Sequence, residues 1–142
     1  MFLFIKRLFD VLVHTIGITT TVLPTAADGA AALAVQLTSA AVAWTFGAWT
    51  QIALGAVVTA NTQIIGVSLE NFVGALGEGE VQIGTGTAPA GTAIITVPIT
   101  ANYFPLPGGP LVVPGTGIVA RYRTSTGAAD NVSVKLVTKL GN

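Results

Sequence analysis

The stretch Gly117-Ile-Val-Ala-Arg-Tyr-Arg-Thr-Ser-Thr-Gly-Ala-Ala-Asp-Asn-Val-Ser-Val-Lys-Leu-Val-Thr-Lys-Leu140 decides the fold class of this chain. Val132, Val134 and Leu136 alternate with Ser133, Lys135 and Val137, the period of two that sends one set inward and the other outward. Upstream, Ile118, Ala120 and Tyr122 alternate with Val119, Arg121 and Arg123 in the same way. Between the two runs lies Ser125-Thr-Gly-Ala-Ala-Asp-Asn131, rich in residues that tolerate turn dihedrals. The pattern predicts a β-hairpin with one face on a core. The other face would carry a basic patch of Arg121, Arg123, Lys135 and Lys139.

The same rhythm extends back along the chain. Glu80-Val-Gln-Ile-Gly84 alternates, Thr85–Gly91 reads as a loop, and Thr92–Thr100 reads as a strand. Pro98 marks that strand as an edge or a bulge, because proline cannot donate to a ladder. Asn102–Pro110 reads as a rigid crossing, followed by the short run Leu111–Val113 and a turn at Pro114-Gly115. From Gly29 through Leu69 there is no charged residue, which hydropathy alone would flag as a membrane segment. Gln36, Thr38, Thr45, Gln51 and Asn61 interrupt it at short intervals, however, and divide it into runs of strand length. These runs are Ala32–Leu37, Ala41–Phe46, Trp49–Leu54 and Gln63–Leu69. Strands buried on both faces read as continuous apolar runs, which accounts for the missing charge without lipid. The expectation for residues 29–142 is an all-β domain, a β-sandwich of jelly-roll type.

Residues 1–28 read as an arm and linker. Phe2, Ile5, Phe9, Leu12, Val13 and Ile16 recur at helical spacing, with Lys6, Asp10 and His14 on the other side, predicting an amphipathic helix or extended arm. A secretory signal fits badly, since the basic residues follow an apolar start and Asp10 breaks the apolar run. A spanning helix fits badly too, because no uncharged apolar run of about 18 residues precedes Pro24. Thr19–Gly29 is turn-rich, with Pro24 and Asp28-Gly29 as punctuation.

Charged residues make up 8% of the chain, against the usual share of about 25%, and the formal net charge is zero. A surface so poor in charge is weakly protected against association, so the composition predicts a surface covered by copies of the chain or by another protein; a homo-oligomer is expected, a trimer being one candidate. The chain has no Cys and one His, His14, so nucleophilic triads and cysteine metal sites find no support. Gly84–Gly91 is glycine-rich but lacks the Gly-Lys-Ser/Thr ending of a phosphate loop. Glu78 and Glu80, with Glu70, form the one acidic cluster; a charged turn that keeps an edge soluble is the better reading than a cation site. The basic patch lacks interleaved aromatics, which argues against nucleic acid and for carboxylates of a neighbouring subunit. Trp44 and Trp49 would face opposite sides of a strand unless Gly47 resets the register, which puts one in the core and Trp49 at a subunit contact. No enzymatic activity, cofactor or metal is expected.

Five segments follow one another in an order that carries a resemblance. They are Trp44-Thr-Phe-Gly-Ala-Trp-Thr-Gln51, Ile65-Gly-Val-Ser-Leu-Glu70, Glu80-Val-Gln-Ile-Gly-Thr-Gly86, Phe104-Pro-Leu-Pro107 and Ile118-Val-Ala-Arg-Tyr-Arg-Thr-Ser-Thr-Gly-Ala-Ala-Asp130. From about Ala43 to Lys139 the chain resembles small structural proteins of tailed bacteriophages. The resemblance implies a virion component at the capsid surface, a decoration or cement protein bound to the major capsid protein or another virion protein. Its assembly contacts would be Phe2, Ile5, Phe9, Leu12, Val13 and Ile16 on the arm, with Trp49, Arg121 and Arg123 on the sandwich. A tail or fibre-associated module is the alternative within virions. Outside them stand a carbohydrate-binding module using Trp49 or Tyr103 and a small membrane protein using residues 1–57.

Overall fold

A computed structural model describes residues 20–29, 34–72 and 78–141. The expected N-terminal helix, with Phe2, Ile5, Phe9, Leu12, Val13 and Ile16, lies outside the described residues. The strands are β1 (Thr20–Leu23), β2 (Val35–Thr38), β3 (Thr50–Ala53), β4 (Thr62–Glu70), β5 (Gly79–Thr85), β6 (Thr92–Pro98), β7 (Tyr103–Pro105), β8 (Leu111–Val112), β9 (Ile118–Thr124) and β10 (Asn131–Leu140). They form two antiparallel sheets, and the all-β sandwich is as expected. In the first, β10 and β4 lie side by side; β1 and β2 share the outer edge of β10, and β7 and β8 share that of β4. The second runs β3-β9-β5-β6.

The alternation read from the sequence sets the core. Val132, Val134, Leu136 and Thr138 of β10 point inward, opposite Ile118, Ala120, Tyr122 and Thr124 of β9, all of them buried. On β4 the inward set is Ile64, Val67 and Leu69, a spacing that breaks the period of two. An irregularity between Val137 and Thr138 repairs it, since Ile64 pairs with Thr138 and Gly66 with Val137, leaving Ile65 as the extra residue. Each large aliphatic side chain buried this way contributes about 1.5–3 kcal/mol.

The predicted hairpin at residues 117–140 is not formed. β9 pairs with β3 and β5 in one sheet, whereas β10 pairs with β1, β2 and β4 in the other. Alternation decides which face a residue shows but not which strand lies beside it. Residues 125–130 arch between the sheets and are fastened at the end of β2. Asp130 accepts from the hydroxyls of Thr124 (3.0 Å) and Thr126, while the Ser39 hydroxyl donates to Ala128 O (2.9 Å) and accepts from Asp130 N (3.0 Å). Arg121 and Arg123 therefore leave one outer face of the sandwich, and Lys135 and Lys139 the other. The single basic patch does not exist.

Three further segments differ from expectation, one of them Asn102–Pro110, read as a crossing, which contains β7 paired with β4. Ala41–Phe46 is a run of bends and turns and not a strand, with Trp44 at a positive φ of 56°. It follows the edge of β9 through isolated bonds, Trp44 N to Thr124 O (2.6 Å) and Gly47 N to Tyr122 O (2.9 Å). A Cβ at Gly47 would collide with the Thr38 carbonyl, so the residue permits close approach of β2 and does not reset a strand. Thr20–Leu23, expected as linker, is β1, with Leu23 in the core. The 3-10 turn Ala26–Asp28 follows, held by Asp28, whose carboxylate accepts from Thr25 N (2.8 Å), the Thr25 hydroxyl (3.0 Å) and Leu54 N (2.9 Å). The sandwich thus includes residues that the sequence reading placed with the arm. The loop after β5 is a hairpin connection, as read, and Pro98 ends the edge strand β6.

Candidate functional site

Of the expected contact residues, the structure brings Trp49, Arg121 and Arg123 together on the outer face of the second sheet. β9 presents Arg121 and Arg123 two residues apart on the outward parity, and segment 44–49 lays its aromatic rings across them. The Arg121 guanidinium carbon lies 4.2 Å from the Trp49 ring centre and 4.6 Å from that of Phe46. The Arg123 carbon lies 4.5 Å from Phe46 and 5.7 Å from Trp44. The order is a ladder of Trp49, Arg121, Phe46, Arg123 and Trp44, each cation facing two rings. Cation–π contacts of this kind contribute about 0.5–2 kcal/mol each, more as water is excluded.

The edges of both guanidinium groups are engaged as well. Arg121 donates from Nε (2.8 Å) and Nη2 (2.6 Å) to Gln82 Oε1 on β5. Arg123 donates from Nε to Glu80 Oε2 at 2.7 Å and forms an ion pair with the same carboxylate. Glu80 is thus half of an ion pair, and Glu78 sits apart, just before β5. Among the described residues no cluster of three His, Cys, Asp or Glu side chains could hold a metal ion. Trp49 also covers Gly84 and Gly91, where a Cβ would meet its ring at 2.8 Å. Beneath it Val119, on the outward parity of β9, is fully buried outside the main core.

Trp44 and Phe46 were missed as partners of this face. The signal was present: two arginines at i, i+2 on a strand, and aromatics at 44, 46 and 49 in one short segment. Only the edge-following path of residues 44–49 places all three rings on one side. On the opposite outer face, Lys135 donates to Glu70 Oε1 at 2.7 Å, and the Tyr103 ring lies across Gly66. Tyr103 and Trp49 therefore occupy opposite faces and share no platform.

Inside the sandwich Tyr122 is fully buried, edge-on to Phe72 with ring centres 6.5 Å apart, and its hydroxyl has no hydrogen-bond partner among the described residues. Burial, with a smaller contribution from the Asp130 charge, pushes its pKa up to about 12. A recess of about 160 Å³ between β1, residues 57–60 and the end of β10 is lined by Thr21, Leu23, Val58, Thr138 and Lys139, with no carboxylate among its lining residues. Among the described residues no helix is long and apolar enough to cross a membrane. Comparison with known protein families and with curated proteins found no match to the chain.

Proposed function

We propose that this chain is a virion structural protein, a capsid decoration or cement protein of a tailed bacteriophage that stabilises the shell by assembling on it. The observation that carries the reading is the strand order. One sheet runs β1/β2-β10-β4-β7/β8, the other β3-β9-β5-β6, and every connection except β5–β6 and those within the two split edges crosses between sheets. That order supports a jelly roll, two interleaved Greek keys, an architecture that serves in viral capsids and in lectins. Fold alone does not imply function. The phage resemblance and the low charge favour the capsid over the lectin. In this reading the sandwich is the rigid body and residues 1–19 are the fastener to the major capsid protein. Trp44 and Arg123 at the open end of the ladder add a contact, and the assembled unit is a homo-oligomer.

The test is a cryo-EM map of the native particle, with mass spectrometry to count copies. Many copies on the shell are expected. A few copies at the tail would favour the tail-module alternative, and absence from purified particles would sink the reading. A chain lacking residues 1–19 should keep the strand signal in circular dichroism and fail to co-sediment with the particle; binding at full occupancy would move the attachment to the sandwich.

A further inference from the structure

The core of the sandwich is left incomplete at one end. On β10 the inward parity of Val132, Val134, Leu136 and Thr138 continues to Leu140, yet Leu140 is 55% exposed where the others are buried. Thr21 of β1, paired with Thr138, shares that parity and is exposed as well. Beneath them lies the recess of about 160 Å³, walled by Leu23, Val57, Val58 and Ala60, with Lys139 the one charged residue among those lining it. Three of its hydroxyl protons are already used. Thr25 donates to Asp28, Thr62 to Ala60 O and Thr138 to Thr21 O, each at 3.0 Å. Leu111 of β8 adjoins the rim and is half exposed, so close to Gly141 that a Cβ there would strike its Cδ1.

These walls suit an apolar occupant better than water. An apolar cavity of about 150 Å³ takes up a benzene molecule, so this recess is sized for one large side chain. The chain itself brings such side chains to the rim. Thr20 pairs with Lys139, so residue 19 enters β1 beside Leu140. Ile16 lies four residues before Thr20, within about 14 Å of extended chain. Leu12 and Val13 precede it at helical spacing, and Gly17 permits a reversal that turns all three back over the rim.

We propose that this end of the sandwich is the docking surface for residues 12–16 of the same chain, with Ile16 in the recess and Leu12 and Val13 against Leu111 and Leu140. So short a tether gives the segment an effective concentration on the order of millimolar at this surface, which favours it over the same segment of a second copy. With the segment seated, Leu140 and the recess join the core. The contact uses one end of the apolar stripe and leaves Phe2, Ile5 and Phe9 for the shell. It goes beyond the proposed function and does not rest on it, since it is a property of the isolated chain.

The chain has no cysteine, so introduced pairs report the contact. Ile16→Cys with Leu140→Cys in the full chain, oxidised mildly at low concentration, should close a disulfide within one chain. Ile16→Cys with Val22→Cys is the control. Val22 is exposed on the outer face of β1 and nearer in sequence, so a segment without a seat would find it first. Hydrogen exchange read by mass spectrometry should show the amides of residues 12–18 at least tenfold faster in Leu140→Glu than in the parent. Leu111→Glu repeats that measurement at a second exposed position, should Leu140→Glu fail to fold. Cross-links between chains only, a Val22 pair that closes as fast as the Leu140 pair, or exchange unaltered by either glutamate would overturn the proposal. A chain that fails these tests and still attaches to the particle through residues 1–19 would do so while leaving the proposed function standing.

Discussion

Tyr122→Phe separates the energetic cost of one buried hydroxyl from everything else in the core. The Tyr122 ring is fully buried against Phe72, and its hydroxyl has no partner among the described residues. Leaving such a group unpaired costs about 1–3 kcal/mol. Removing it keeps the ring and its packing, so near neutral pH Tyr122→Phe should be as stable as the parent or more stable by about 1 kcal/mol. The pH dependence is the sharper test. The folded-state pKa stands at about 12 against an ordinary 10.0, with burial the larger cause and Asp130 the smaller. Between these values the unfolded chain has released the phenolic proton and the folded chain still holds it. Stability then falls as pH rises, from near the unfolded pKa up to the folded one, and is unaffected by this group below it.

Two pKa units at 1.36 kcal/mol each give a loss of about 2.7 kcal/mol, to be read as 2–3. Urea unfolding of the parent and of Tyr122→Phe over a pH series should give curves that run parallel up to the ordinary tyrosine range and then diverge. Lysine and arginine titration is common to both and cancels in the difference. Phenolate absorbance should show the folded parent lacking one ionisation until about pH 12 or unfolding. Curves that stay parallel through pH 11 would refute the reasoning, because the hydroxyl would then have a partner or access to water.

Other substitutions test the remaining joints. Gln51→Ala removes bonds from Nε2 to Ala53 O (2.7 Å) and Ile118 O (3.0 Å) and the acceptor for Ala88 N (3.0 Å), and should lower stability by about 2–3 kcal/mol in urea unfolding. Arg121→Ala strips the ladder of the cation between Trp49 and Phe46; tryptophan fluorescence should shift to the red and stability should fall by about 1–2 kcal/mol, whereas an unchanged spectrum would mean the rings hold without it. Gly47→Ala should cost more than the ~1 kcal/mol usual for a glycine replacement, since its Cβ meets the Thr38 carbonyl and not a movable side chain; a stable, well-folded variant would contradict the close approach. Leu136→Ala, at a fully buried site between the sheets, should cost about 2–5 kcal/mol in the same assay.

Much of the fold was legible because alternation is a direct consequence of strand geometry. Val132 to Leu136 and Ile118 to Tyr122 point where their parity says. What alternation lacks is the identity of the neighbour. Residues 125–130 look like a hairpin turn in composition, and the polar side chains of Ser39, Thr124, Thr126 and Asp130 make them an arch instead. Two of those four lie outside the loop, one of them far back in the chain, so the loop's own residues gave no warning. Ala41–Phe46 differs for a related reason: its apolar composition matches burial in a strand, while its aromatics are held against arginines on the outer surface. Trp49, Arg121 and Arg123 were singled out separately; their association needed the path of segment 44–49, which depends on Gly47 approaching β2.

The scarcity of charge and the use made of it lead to the same view of how this surface meets others. Asp28 is turned inward to three donors that tie the 3-10 turn to the end of β3, and Asp130 closes the arch after β9. Glu80 is paired with Arg123 on one face and Glu70 with Lys135 on the other. Among the described acidic residues only Glu78 has neither an ion pair nor a side-chain hydrogen bond. With net charge zero and most carboxylates satisfied within the chain, little field extends beyond a Debye length of about 8 Å at physiological salt. Long-range steering and salt-sensitive affinity then have only a weak source, Arg121, Lys139 and Glu78 being the described charges outside ion pairs and side-chain carboxylate contacts, so association rests mainly on shape, apolar contact and backbone hydrogen bonds. Self-association of the chain should accordingly change little between low and moderate salt in sedimentation equilibrium, and a steep salt dependence would show that charges carry the contact after all.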